Sequence, residues 1–319
     1  MAGSTPASPT AEVPLAAAAP LIAAATAPRK TLGGEAWRRF RRHRLAVASA
    51  LVLALMTFAV LFGSLIWPVP INAIDFAAHL QGPSLAHPLG TDDLGQDLLA
   101  RMLYGGRISL AVGFASMVIA ILVGTLVGAV AGSSRSATDT GLVWLIDLFL
   151  SLPQLPLLLL LIYLFRASLR KLAGLEIGTF ILIVVVIGGF RWMSVARLVR
   201  AEFLSLREKE FVEAARALGA PQWRLVMHHI LPNAFGPVIV AATIEVANAI
   251  IAESTLSFLG LGFPPDVPSW GRILYDAQDY LDIAPHWALF AGGAIFLTVM
   301  AINYVGDGLR DALDPRRVL

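Results

Sequence analysis

Six long apolar runs, separated by stretches rich in proline, glycine and charge, leave this 319-residue chain little choice of architecture. They lie near residues 45–67, 108–131, 141–165, 176–199, 235–258 and 287–306. Each is close to the roughly 20 residues that a helix needs to cross a hydrocarbon layer about 30 Å thick. Lipid offers no partners to backbone N–H and C=O groups, so runs of this length must satisfy them internally, as helices. With 57% of residues hydrophobic and only 14% charged, a soluble domain could not hide the apolar surface. The expected fold class is all-α: a polytopic membrane protein with six transmembrane helices.

Basic residues set the expected orientation. With the N-terminus inside, 18 of the 24 lysines and arginines fall on the inner side, the pattern that membrane insertion favours. The cluster Arg166, Arg170 and Lys171 runs against that bias. Both termini are expected on the cytoplasmic side of a multi-pass membrane protein. Residues 1–34 read as a disordered tail and 35–319 as one membrane domain. The run Leu15–Ala27 lacks a preceding basic region and is broken by Pro20, so it is not read as a cleaved signal. The basic cluster from Arg38 to Arg44 directly precedes an apolar run and reads as an anchor to membrane lipid. A net charge of only +2 gives no support for nucleic-acid binding, and the absence of cysteine excludes disulfides and thiolate chemistry.

The most distinctive polar stretch falls between the fourth and fifth runs, on the inner side. Ser205 and Glu208 fit a capping box, so a helix is predicted from about 205 to 221. Phe211, Ala214, Ala215 and Leu218 recur at helical spacing and make one small apolar face. Gly219 suits a left-handed cap, and Pro221 forbids continuation. Glu213, Arg216 and their charged neighbours keep the segment in water. Two readings fit these residues: a solvated connector, or a peg that docks into a partner.

Acids inside apolar runs need a partner or a wet cavity, because burying one costs about 2.5–3.5 kcal/mol at mid-helix. Asp147 lies in the third run, and Glu245, Asn248 and Glu253 lie in the fifth. They can line a translocation pathway or pair between helices; for Asp147 the favoured reading is pairing with Arg191 or Arg197. Pro153 and Pro156 are expected to bend the third helix. Outside, two proline-rich loops at 68–106 and 259–286 are long enough to be functional. No lysine follows a glycine, so the chain has no phosphate-binding Walker loop, and no His-Glu-x-x-His zinc motif is present. His228 and His229 diverge on a helix, and His79 and His87 lack a third ligand in the sequence; no metal site and no catalytic residue is expected.

Glu213-Ala214-Ala215, Gly219 and then Ile230-Leu231-Pro232 resemble the EAA loop of ATP-binding-cassette import permeases. Three further stretches are similar to dipeptide and oligopeptide permeases of the DppC/OppC type: His87 to Asp97 leading to Leu110, Glu253 to Gly262 with Pro268-Ser269-Trp270-Gly271, and Asn303 to Pro315. Where that family usually carries arginine, this chain has Gln96. The resemblance covers roughly residues 35 to 317 and implies the type I importer permease fold, MetI-like. It implies a subunit that moves peptides across the inner membrane beside a homologous permease of the DppB/OppB type. Two ATPase subunits, which bind the ATP and Mg²⁺, would grip Glu213, Ala214, Ala215, Arg216, Leu218 and Gly219. An external solute-binding protein would meet loops carrying Asp92, Asp93, Asp97 and Trp270. This chain would bind no cofactor itself. Nickel, glutathione and other small solutes are alternative cargoes, and an ATP-independent secondary transporter is the alternative mechanism.

Overall fold

The computed structural model describes residues 32–134 and 137–313. The first 31 residues of the expected tail, Arg135, and the Asp314-Pro315 end of the C-terminal signature lie outside the described residues. Residues 32–34 of that tail already belong to a helix. Ten helices form the framework: α1 (Leu32–Arg42), α2 (Arg44–Ile66), α3 (Leu98–Ser133), α4 (Ala137–Ser151), α5 (Gln154–Ala173), α6 (Leu175–Leu206), α7 (Glu210–Ala217), α8 (Gln222–Phe258), α9 (Trp270–Ala277) and α10 (Pro285–Leu313). Among the described residues there is no strand, and a lone bridge joins Thr91 to Asp97.

Five of these helices are long and apolar enough to span a membrane singly: α2, α3, α6, α8 and α10. The expected third span is not a straight helix. It breaks between Ser151 and Gln154, and α4 and α5 meet there at 85°. Pro153 caps α5 and removes a donor, so the chain cannot carry one hydrogen-bond ladder through the corner. Pro156 sits in the first turn of α5, where proline is tolerated, and contributes no second bend. Helices α3, α6, α8 and α10 outrun the apolar cores read from sequence. α3, at 36 residues, is about 54 Å long and projects well past any hydrocarbon layer.

The tightest packing joins α3 to α6, which run parallel. Gly124, Gly128 and Gly132 recur every fourth residue on α3 and face Val195, Ala196 and Phe203 on α6. A Cβ at Gly128 would lie 2.5 Å from the carbonyl oxygen of Ala196, so only glycine allows this approach. Gly188 of α6 returns the contact against Ser116 and Ile119. Without a hydrophobic force between helices in lipid, such small-residue seams are what lets dispersion hold them together. Around this pair, α8 and α10 close the bundle. Ile108, Val112, Leu182, Ile187 and Leu256 fill one core beside α5, and Val60, Leu98, Trp270 and Trp287 fill a second. α1 folds back so that Phe40 packs on Ala46 and Ala312.

The bundle therefore has two distinct ends. One, the knob end, holds α1, α7, the start of α8 and the end of α10. The other, the cap end, holds the loop 67–97, α9 and the loops flanking it.

Candidate functional site: the knob and the polar groups behind it

The knob begins later than its sequence suggests. α6 continues through Leu206, because Phe203 and Val199 on its last turns are fully buried, and Arg207 N–H closes the ladder on Phe203. Ser205 and Glu208 thus lie on the end of α6 and in the turn after it, and the capping box is not formed. α7 starts at Glu210 from an extended Lys209, with no side-chain cap. Its other end matches expectation. Gly219 has φ +83°, its N–H bonds to Arg216 and the N–H of Ala220 bonds to Ala215. Those two bonds are the Schellman closure, and Ala215 and Ala220 supply its apolar contact.

Which face is buried is also different. Val212 is the anchor, fully buried among Val199, Phe203, Leu225 and Ile230, with Ala215 half-buried beside it. Phe211 and Ala214 point away, and Leu218 is 90% exposed. The expected apolar face is present, but it is turned outward and uncovered. Trp223 and Met227 at the start of α8 extend it, both more than half exposed. Glu213, Arg216 and Gly219 lie exposed around it. The platform below is stiffened by a π-helical turn, Leu225–Ile230, and tied to the end of α3 by Arg207 and Gln222, which donate to the carbonyls of Gly132 and Ser133. Ile230, Leu231 and Pro232 lie where that turn passes into the α-helix, and Ile230 is buried beneath α7.

Behind the knob, each arginine of α6 has an acid. Arg191 meets Glu245 of α8 at 2.6 Å, Arg197 meets Asp147 of α4 at 2.6 Å, and Arg200 forks onto Asp139 at 2.6 and 2.8 Å. The pairing reading of Asp147 is the one realised, with Arg197, and the pair stays open to its surroundings. Glu245 is buried, and Asn248 is half-buried one turn on. Glu253 lines no pathway in this conformation. It is fully enclosed and accepts hydrogen bonds from Ser109 of α3, Ser257 of α8 and Ser269 before α9, at 3.1, 2.7 and 2.7 Å.

The cap end corrects a further expectation. Asp97 is buried: it caps α3 through Ala100 N–H and accepts from Trp67 Nε1 and from the His87 ring. Asp92 is buried too, accepting from the N–H groups of Leu94 and Gln96. Burial pushes its carboxyl above the usual carboxylate range, against the pull of those N–H groups and of Arg101. Trp270 is enclosed and donates to the carbonyl of Met102. Only Asp93 of the four stays partly accessible, where Tyr280 donates to it. Three of the four are internal ties, not an outward face.

The centre of these ties is Arg101, a residue the sequence did not single out. Its guanidinium is buried and donates to Ile71, Asn72, Gln96 and Pro265, and its Nε lies 3.6 Å from Asp92. It joins the two outer loops at one point, reaching Pro265, 164 residues further along the chain. Gln96, where the resembling family usually has arginine, is an acceptor for it. The available signal was a lone arginine in the first turn of a long apolar helix.

Comparison with known proteins agrees with this layout. Residues 120–318 match the model of the binding-protein-dependent transport system inner membrane component, and residues 31–83 that of the N-terminal TM domain of oligopeptide transport permease C. A putative peptide permease of Brucella suis is 42% identical, over 88% of this chain and 90% of that one. The glutathione transport system permease GsiD of Pectobacterium atrosepticum is 37% identical, over 88% and 90%. The oligopeptide transport system permease OppC of Haemophilus influenzae is 37% identical, over 90% and 89%.

Proposed function

The chain belongs to the family of binding-protein-dependent transport system inner membrane components, and from that premise we propose that it is the permease half of an ATP-driven peptide importer whose motor docks on α7. The observation that carries this is the uncovered apolar face of the knob. Phe211, Ala214 and Leu218 stand on a short helix anchored by one valine, where water would otherwise have to wet them. An ATPase subunit that receives α7 in a cleft would cover that face. Its closure would be passed through the platform to α6 and α8 together, since Val212 packs on both. With the knob end in the cytoplasm, the basic helix α1 faces the inner leaflet and the cap end faces an external solute-binding protein. Ile74, Phe76, Leu85 and Ile283, all exposed on cap-end loops, are the surface offered to it. A homologous permease completes the pathway, beside Glu245, Asn248 and Asp147. ATP and Mg²⁺ are held by the motor subunits.

The peptide cargo is supported by the relatives named for peptides and oligopeptides. Glutathione is the second reading, on the strength of the relative named for it. The test is the full complex in proteoliposomes with Glu213→Lys. Insertion and assembly are expected to persist while peptide uptake per ATP hydrolysed falls by at least about tenfold. Unchanged uptake at normal expression would sink the docking role.

A further inference from the structure

The cap end holds two arginines whose charge the protein does not answer. Arg166 and Arg170 lie four residues apart on α5 and so share a face. Nε of Arg166 and Nη2 of Arg170 are shielded from solvent and have no hydrogen-bond partner. Among the described residues no carboxylate lies within ion-pair distance of either. Glu176, in the first turn of α6, accepts from Tyr104 at 2.7 Å, and Asp276 is held by Arg272 at 2.6 Å. Arg170 gains only the Thr179 hydroxyl, at 3.2 Å, and the charge acting on Arg166 is the like charge of Arg272. Two like cations a turn apart repel, and both side chains are only half-buried, so an anion from outside can reach the pair. The negative end of the helix dipole reaches only the last turn, where Arg170 stands, and leaves Arg166 uncompensated.

We propose that Arg166 and Arg170 form an oxyanion site that holds the phosphate of a membrane lipid headgroup. Depth supports this occupant. Arg170 lies about 4–5 Å and Arg166 about 10 Å from the end of α5, at 1.5 Å per residue. The headgroup layer is about 5–8 Å thick on each side of the hydrocarbon. Arg170 therefore stands at headgroup level, with Arg166 one turn deeper on the same face. Acyl chains would meet the other faces of the same helix, where Leu164, Phe165 and Leu172 are exposed. A guanidinium pair offers several N–H donors to phosphate oxygens at once, the geometry arginine is suited to. The site accounts for a basic cluster that runs against the charge bias of the rest of the chain.

The site requires that the cap end lie at a membrane surface, and it does not depend on which cargo is carried. The test is native mass spectrometry of the full transporter complex in mild detergent, titrated with phosphatidylglycerol and, in parallel, with diacylglycerol, which lacks the phosphate. The wild-type complex is expected to retain phosphatidylglycerol and not diacylglycerol. Arg166→Gln with Arg170→Gln should retain about tenfold less, and the double lysine variant an intermediate amount. Equal retention by the wild-type and glutamine complexes overturns the site. So does a glutamine variant that keeps its lipid but sheds the companion permease, which would give the counter-charge to that subunit. A changed preference between free-acid and amidated peptides at unchanged lipid binding would give it to the cargo. A complex that moves no peptide yet still holds the lipid would fail the transport reading and leave this one standing.

Discussion

The two ends of the molecule are built on opposite principles. In the network around Arg101 at the cap, buried polar groups are answered from within: Arg101 has protein partners on four residues besides Asp92, Asp97 caps a helix and receives two side chains, and nearby Glu253 is enclosed by three serines. At the knob, a short helix is held by one buried valine and leaves its larger apolar residues exposed. The contrast teaches that the polar network around Arg101 is complete within one chain, whereas the knob is half of an interface. A fully satisfied polar network favours one arrangement and resists change. An apolar patch on a small element has surface to give up to a partner.

That difference can be broken from either side. The largest expected effect is at the cap: Arg101→Met strands Asp92 and several carbonyls, at a cost of about 3–5 kcal/mol. The purified complex should lose most of its folded population, read by size-exclusion profile after mild heating. If it keeps wild-type thermal stability, the network around Arg101 is not the self-contained unit described. Next is the anchor of the knob. Val212→Ala removes two buried methyl groups, at about 0.8 kcal/mol each plus a cavity penalty, for roughly 2 kcal/mol in total. Faster protease cleavage near residue 210, with the bundle otherwise intact, is the expected sign. Gly219→Ala puts a Cβ on a left-handed residue and costs about 1 kcal/mol, although nothing crowds the site. Coupling should weaken in step, measured as peptide uptake per ATP. The smallest effect on stability is the sharpest for function. Leu218→Asp, on a residue 90% exposed, should change stability by less than about 0.5 kcal/mol. It should nevertheless cut co-purification of the ATPase at least about tenfold, because a charge would enter a dry cleft. Normal ATPase recovery with this variant would mean the exposed face is not the docking surface.

Much of this was legible in the chain itself. Each apolar run overlaps an observed helix, the third across the corner between α4 and α5, since the requirement for an internally bonded backbone acts on each segment alone. Gly219 and Pro221 end the knob where their backbone preferences require. The capping box at Ser205 failed because packing of Phe203 against α8 prolongs α6, and a local cap signal is worth less than a buried aromatic. The outward role given to Asp92, Asp97 and Trp270 failed for a related reason. A polar residue in a loop reads as exposed unless its partners are known: the two aspartates close on Trp67, His87 and N–H groups near them in the chain, and Trp270 meets Met102, 168 residues away.

What the sequence settled alone was therefore local: the class of fold, the helices' approximate positions, the turn after α7 and the absence of a phosphate-binding loop. Those follow from how each stretch treats its own backbone and side chains. What needed the tertiary structure was which side each residue faces and what answers its charge. Val212 inward and Leu218 outward, Arg191 with Glu245, Arg101 between two loops, and Arg166 without an acid among the described residues are all decided by elements that meet only once the helices have packed.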